Sequence, residues 1–316
     1  MFKIELSSIF MLVSAMTFAQ EPIQKDTSFT VQSTFLKEKK HRAYIEIANP
    51  EISKEVTFLN DQVYKNLGER ALTADVYYPK KKIKENYPGV ILIHGGGWQS
   101  GDKSQTNAMA IALANAGYVA VCVEYRLSLE AKYPAAVYDI KSAIRWMRAN
   151  ATRFHLNTNK IATLGMSAGG QLATLVGFTS FNKKYEDAVG NPKQSSAIQA
   201  VVNIDGTLSF HHPESQEGKA TSFWLNSTYA ENPETWASAS PLDQVSKEAV
   251  PIVFINSSNP RFHAGRDDLI QQLNSFSIDS EVHTLPDTPH PFWFFNPWFT
   301  PTVNYTIAFL DKIFKH

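Results

Sequence analysis

Cysteine is almost missing from this chain: Cys122 is the only one among 316 residues, so no intrachain disulfide can form in any compartment. Neither sign of charge is in excess, since 30 lysines and arginines balance 30 aspartates and glutamates. That balance, with no basic helix, leaves no electrostatic footprint for nucleic acid and no face for an anionic membrane. Long apolar runs are lacking as well, and none could cross a bilayer as a helix. No internal repeat or low-complexity tract divides the chain. What remains is 43% hydrophobic and 19% charged, an ordinary globular composition for one large domain. A domain of this length buries about three-quarters of its unfolded surface, enough for a core without disulfide or metal staples. Cys122 lies in the apolar run 118–123 and reads as a small buried hydrophobe.

The first residues stand apart. Lys3 precedes the apolar stretch Ile9-Phe10-Met11-Leu12-Val13, and small residues follow to Ala19. This order reads as a secretory signal over residues 1–19, cleaved near Ala19, and gives the expectation of a secreted or periplasmic protein. Residues 20–54 are polar and irregular, and are expected to lie extended on the main domain with one short strand around 43–47.

From 55 to 316 the pattern becomes regular. The runs 89–93 and 118–123 are apolar throughout, as central strands buried on both faces require. Between them Met109, Ala112, Leu113 and Ala116 recur at helical spacing, with Gly117 as a stop. Further strands are expected over 72–78, 160–164, 200–204, 250–255 and 281–285. Helices are expected over 137–147, 168–178, 268–276 and after Thr300-Pro301. Strands alternating with helices give an α/β fold, a mainly parallel central sheet with helices on both faces. Ligands bind such sheets at the carboxyl ends of the strands.

The residues that carry chemistry fall at those ends. Gly165-Met166-Ser167-Ala168-Gly169 runs directly from a buried strand into a helix. A nucleophile on so sharp a turn needs small neighbours, and the helix N-terminus favours developing negative charge. His94-Gly95-Gly96-Gly97-Trp98 follows the strand 89–93, and its glycines let backbone amides approach a ligand closely. Gly96, Gly97 and Ala168 are therefore the candidate oxyanion hole. The loop lacks the spacing and Lys-Ser/Thr ending of a phosphate loop. A serine hydroxyl needs a neutral imidazole to remove its proton, and His290, just beyond the last strand, is placed to be that base.

With these residues in view, the chain resembles the α/β-hydrolases of the carboxylesterase and hormone-sensitive-lipase-like group, in particular bacterial carbohydrate esterases acting on plant polysaccharides. The resemblance rests on residues 94–98, Glu124-Tyr125-Arg126-Leu127, Tyr133-Pro134-Ala135-Ala136 with Asp139, and residues 165–170, and it covers residues 55–316. It implies serine ester hydrolysis without cofactor or metal. One departure concerns the triad acid. Members of the group place an aspartate shortly after the penultimate strand, where this chain reads Asn256-Ser257-Ser258-Asn259-Pro260. Asp205, after the strand 200–204, is the favoured acid and Asp268 the second choice. Each has a plain alternative as a turn aspartate or a helix cap.

The substrate reading comes from the aromatics and the basic loop. Trp98 beside the glycines, and Trp293 in the aromatic run after His290, are expected to offer faces to a sugar ring, although core packing also accounts for such residues. Arg261, with His263 and Arg266, offers a fork for the carboxylate of a uronic acid, although a solvated loop also accounts for these residues. His211, His212, Glu214 and Glu217 have no recognised metal-ligand spacing and read as lid or surface. The expected partner is a carbohydrate ester carrying acetyl or a similar small group. A methyl ester of a pectin-like uronic acid is the alternative, and a non-catalytic glycan-binding homologue is the alternative of another class.

Overall fold

β-Branched and apolar residues build the sheet that carries everything else. The computed structural model describes residue 26 and residues 28–216 and 218–315, so the expected signal segment 1–19 lies outside the described residues. The main sheet has eight strands: β1 (Val56–Leu67), β2 (Arg70–Pro79), β3 (Tyr87–Ile93), β4 (Val119–Val123), β5 (Leu156–Met166), β6 (Ala200–Ile204), β7 (Ile252–Asn256) and β8 (Ser280–Thr284). Their spatial order is β1-β2-β4-β3-β5-β6-β7-β8. The first two joints are antiparallel and the rest parallel. β1 and β2 are joined across Gly68, whose φ of 74° suits glycine in a tight hairpin.

Packed around this sheet are α1 (Val31–Glu38), α2 (Asn107–Asn115), α3 (Ala135–Ala149), α4 (Ala168–Phe178), α5 (Gly218–Leu225), α6 (Pro233–Ala239), α7 (Arg266–Ser275) and α8 (Phe299–Phe314), with a single helical turn at Ala151–Phe154 just after α3. Alternation along β3 divides the core in two. Val90 and Leu92 pack with Met109 and Leu113 of α2 and Phe309 and Leu310 of α8. Ile91 and Ile93 pack with Ile140 and Ile144 of α3 and Leu172 and Val176 of α4. Each fully buried aliphatic side chain in these layers contributes roughly 1.5–3 kcal/mol of transfer free energy. Cys122 is one of them, and burial pushes its thiol up to about 12.

The N-terminal segment differs from the extended strap expected of it. Residues 31–38 form α1, held by a capping box: Thr30 Oγ1 accepts from Ser33 N at 2.9 Å, and Ser33 Oγ accepts from Thr30 N at 3.0 Å. Phe35 of α1 meets Phe295, and Phe29 meets Phe294, each at 6.0 Å between ring centroids. Beyond the helix, Glu46 and Ile47 pair antiparallel with Asn296 and Phe295. Most of the aromatic run after His290 is therefore core and the seat of this segment.

The motif residues around Asp139 hold the first helix after β4 in place. Asp139 is fully buried and receives Arg126 through Nε and Nη2, both at 2.8 Å, and Lys65 Nζ at 2.8 Å. Removing one partner of such a cluster leaves uncompensated buried charge. Asp139→Asn is expected to lower the unfolding free energy by about 3–5 kcal/mol, measured as a shifted urea midpoint. An unchanged midpoint would mean that the cluster is neutral to stability.

Candidate active site

β5 ends at Met166 and α4 begins at Ala168, so Ser167 occupies the turn between them. Its φ of 55° and ψ of −122° cost a non-glycine residue about 1–3 kcal/mol, and such a conformation persists only where the surroundings enforce it. Here they do. A Cβ on Gly165 would stand 1.8 Å from Gly169 O, and one on Gly169 would stand 2.2 Å from Ile93 O. Glycines at these positions let strand, turn and helix close on one another. A serine at a helix N-cap ordinarily turns its hydroxyl onto the helix amides. Ser167 makes no such bond, and its Oγ lies 2.8 Å from His290 Nε2.

His290 comes from the turn beyond β8, and its Nδ1 lies 3.0 Å from Asp205 Oδ2. The carboxylate facing Nδ1 assigns the neutral tautomer. In that form Nδ1–H donates to Asp205, and Nε2 accepts from the Ser167 hydroxyl. Asp205 directly follows β6, whose Ile204 is the register partner of Met166. Serine and aspartate thus stand one residue past the ends of adjacent strands.

The side chain of Asp205 is fully buried. Its Oδ1 accepts from Ser257 N at 2.8 Å and from Asn256 Nδ2 at 3.4 Å. Asn256 Oδ1 accepts from Arg266 Nη1 at 2.9 Å. The stretch in which the resemblance looks for a carboxylate therefore supplies donors to Asp205. The sequence grouped Arg266 with Arg261 and His263 as a carboxylate-binding set and gave Asn256 and Ser257 no role. The available signal was a polar Asn closing the apolar strand Ile252–Asn256. Asp268 is elsewhere: it lies in the first turn of α7, 61% exposed, with Oδ2 at 3.3 Å from His212 Nε2.

The glycine loop turns beside the serine. Gly96 adopts φ 123°, and a Cβ there would stand 2.1 Å from Ser100 O. Its carbonyl accepts from Gln99 N at 3.1 Å and Ser100 N at 3.0 Å, so Gly96 shapes the turn. A small cavity of about 20 Å³ adjoins Ser167, and Gly97, Trp98, Ala168, Thr207 and Phe262 form its wall. A second cavity of about 690 Å³ has His290 in its wall and runs along α1. Phe262 borders both, its ring stacked on the His290 imidazole at 3.4 Å and 10°.

The tryptophans expected as sugar platforms are buried. Trp98 is 3% exposed, donates from Nε1 to Gln171 Oε1 at 2.9 Å, and lies parallel to Trp224 at 5.1 Å. It nevertheless forms part of the wall of the small cavity. Trp293, 2% exposed, meets the His290 ring edge-on at 5.0 Å and borders neither of these two cavities. Both rings are large apolar surfaces that gain more from packing than from solvent contact. Arg261 sits in the short 3-10 turn Pro260–His263, its guanidinium 4.5 Å from the Phe262 ring centroid.

The model of one protein family, BD-FAE, matches residues 74–277. The chain belongs to the BD-FAE family. This BD-FAE chain is 31% identical over 210 residues to Esterase LipC of Mycobacterium tuberculosis, a match covering 64% of this chain and 50% of LipC. It spans about half the length of the first such relatives. A truncated form of a carbohydrate esterase from gut microbiota superposes with a TM-score of 0.68 at 23% identity, covering 83% of this chain and 100% of that one. A bifunctional GH43-CE protein from Bacteroides eggerthii gives a TM-score of 0.70 at 25% identity, over 81% of this chain and 38% of that one. The fold of this BD-FAE member is that of the α/β-hydrolases. No helix among the described residues is long and apolar enough to cross a membrane.

Proposed function

We propose that the chain is a serine ester hydrolase that removes acetyl groups from carbohydrate. The observation that carries this reading is the unbroken line from Ser167 Oγ to His290 at 2.8 Å and from His290 to Asp205 at 3.0 Å. In the proposed reaction Ser167 Oγ attacks the ester carbonyl carbon while His290 Nε2 takes its proton. Buried Asp205 holds the imidazole orientation and stabilises the imidazolium that forms. The amides of Gly97 and Ala168, with that of Gly96 behind them, receive the negative charge on the carbonyl oxygen. One such donor is worth about 3 kcal/mol of barrier. His290 then returns the proton to the departing alcohol. Water, deprotonated by the same imidazole, releases the acyl group and restores Ser167.

The two cavities support acetyl over larger acyl groups. The space beside the glycines and Ser167, about 20 Å³, admits a group only slightly larger than one water. The roomier cleft has His290, which must protonate the departing alcohol, in its wall, and we assign the bulk of the substrate to this leaving-group side. A uronic-acid methyl ester reverses that distribution, with a large acyl part and methanol leaving. The carbohydrate part of the reading draws on the carbohydrate esterase from gut microbiota and on the esterase relative. Release of acetate from para-nitrophenyl acetate and acetylated xylan tests the proposal. Methanol from methyl-esterified pectin with no acetate from either would replace it with the methylesterase reading. No turnover of any of the three would favour a glycan-binding protein.

Phe262 separates the two spaces, so its removal tests their assignment. Phe262→Ala is expected to raise the propionate-to-acetate ratio of kcat/KM by about tenfold, because one accommodated methylene is worth about 1–3 kcal/mol in an apolar pocket. Para-nitrophenyl esters of both acids give that ratio directly. A ratio that stays at the parent value would mean that Phe262 does not bound the acyl site.

A further inference from the structure

The 690 Å³ cleft has a second wall that no part of the proposed reaction uses. It is α1 and the residues after it, upstream of the segment 74–277 that defines the family. The wall is built in place, since the capping box at Thr30 and the contact of Phe35 with Phe295 hold α1 against the domain. Lys37, His41 and Arg42 face the cleft, against the single carboxylate of Glu38. Arg42 Nη1 meets Glu38 Oε2 at 2.7 Å, so that pair cancels. Lys37 makes no ion pair among the described residues, and it leaves the rim positive in a chain of zero net charge. Phe262 and His290 also line the cleft, as do Ser33 and Thr34, whose hydroxyls are engaged with the backbone at the start of α1. A cation without an ion-pair partner among the described residues, on the rim of a cleft that reaches the catalytic imidazole, suits an acidic sugar. The volume falls in the range of sites for small organic ligands.

We infer that this cleft is a subsite for a carboxylate-bearing sugar in the leaving group, read by Lys37 and His41. The inference rests on the esterase reading for the position of the leaving group, since the departing alcohol takes its proton from His290. It narrows the substrate class to acetylated polysaccharides that carry uronic acid. A cation at a solvent-exposed rim attracts such a group from a distance and holds it modestly, so the effect belongs mainly in KM.

The test compares acetylated oligogalacturonide with acetylated xylo-oligosaccharide, and measures binding of free trigalacturonate to the Ser167→Ala protein by calorimetry. The parent is expected to favour the acidic ester. Lys37→Glu with His41→Glu is expected to lower the acidic-to-neutral ratio of kcat/KM about tenfold, through KM, while Lys37→Arg keeps it. Trigalacturonate binding should weaken by a similar factor in Lys37→Glu. An unchanged ratio together with unchanged trigalacturonate binding would overturn the subsite. If para-nitrophenyl acetate is hydrolysed but trigalacturonate binds neither protein, the subsite fails and the esterase reading stands. If no ester is turned over yet trigalacturonate binds and depends on Lys37, the esterase reading fails and the cleft stands as an acidic-sugar site without its leaving-group role.

Discussion

Ser167→Ala is expected to lower kcat/KM for para-nitrophenyl acetate by at least about 10⁴-fold, the scale on which a serine nucleophile matters in triad hydrolases. The expectation comes from the turn as much as from the hydroxyl. Gly165 and Gly169 let strand and helix close around a positive-φ backbone at residue 167, and the Ser167 side chain makes no cap bond and faces His290 instead. Alanine keeps that backbone and loses only Oγ, so the fold and both cavities should survive. Matching thermal melts of parent and variant would show this. What is left after substitution is the oxyanion donors and substrate binding, which catalyse weakly without a nucleophile. A fluorophosphonate probe should label the parent at Ser167 and leave the variant unlabelled. Hydrolysis within tenfold of the parent would place the chemistry on another group and withdraw the proposed mechanism.

Much of this was legible because the signals were strong and local. A run of buried β-branched residues, a turn of glycines and an apolar helix leave few alternatives. The helix expected over 168–178 and the strand expected over 200–204 agree with α4 and β6. Element order then gives the side-by-side strand ends at which Ser167 and Asp205 stand. α1 was not legible for a physical reason. Its cap is Thr30 with Ser33, without the acidic residue that marks a capping box, and its apolar face is little more than Val31 and Phe35. That helix exists because the aromatics after His290 receive it, which is a contact across more than 250 residues of chain. The same contact explains why Trp293 and its neighbours could not be read as sugar platforms or as core from composition alone. Arg266 was misplaced because its partner, Asn256, lies at the end of a different element.

Asp205→Asn is expected to cost about 10³–10⁴-fold in kcat, whereas Asp268→Asn should stay within about twofold of the parent. Asp205 Oδ2 receives Nδ1–H of His290, which leaves Nε2 free to take the serine proton. An amide in that place presents an NH₂ group to Nδ1 or an oxygen that carries no charge. Either way the imidazolium of the transition state loses its counter-charge, and the tautomer with the proton on Nε2 becomes competitive. That tautomer cannot accept from Ser167. Ser257 N and Asn256 Nδ2, which both donate to Asp205 Oδ1, press the substitution further. They need an acceptor at that position, so the asparagine oxygen is held on their side and its NH₂ is turned toward His290. Asp268 faces His212 on the surface of α7 and can do none of this. Paired initial rates for the two variants on para-nitrophenyl acetate separate the assignments. A large loss in Asp268→Asn with little in Asp205→Asn would require His290 to turn away from β6 in the working enzyme, and would withdraw the triad drawn here.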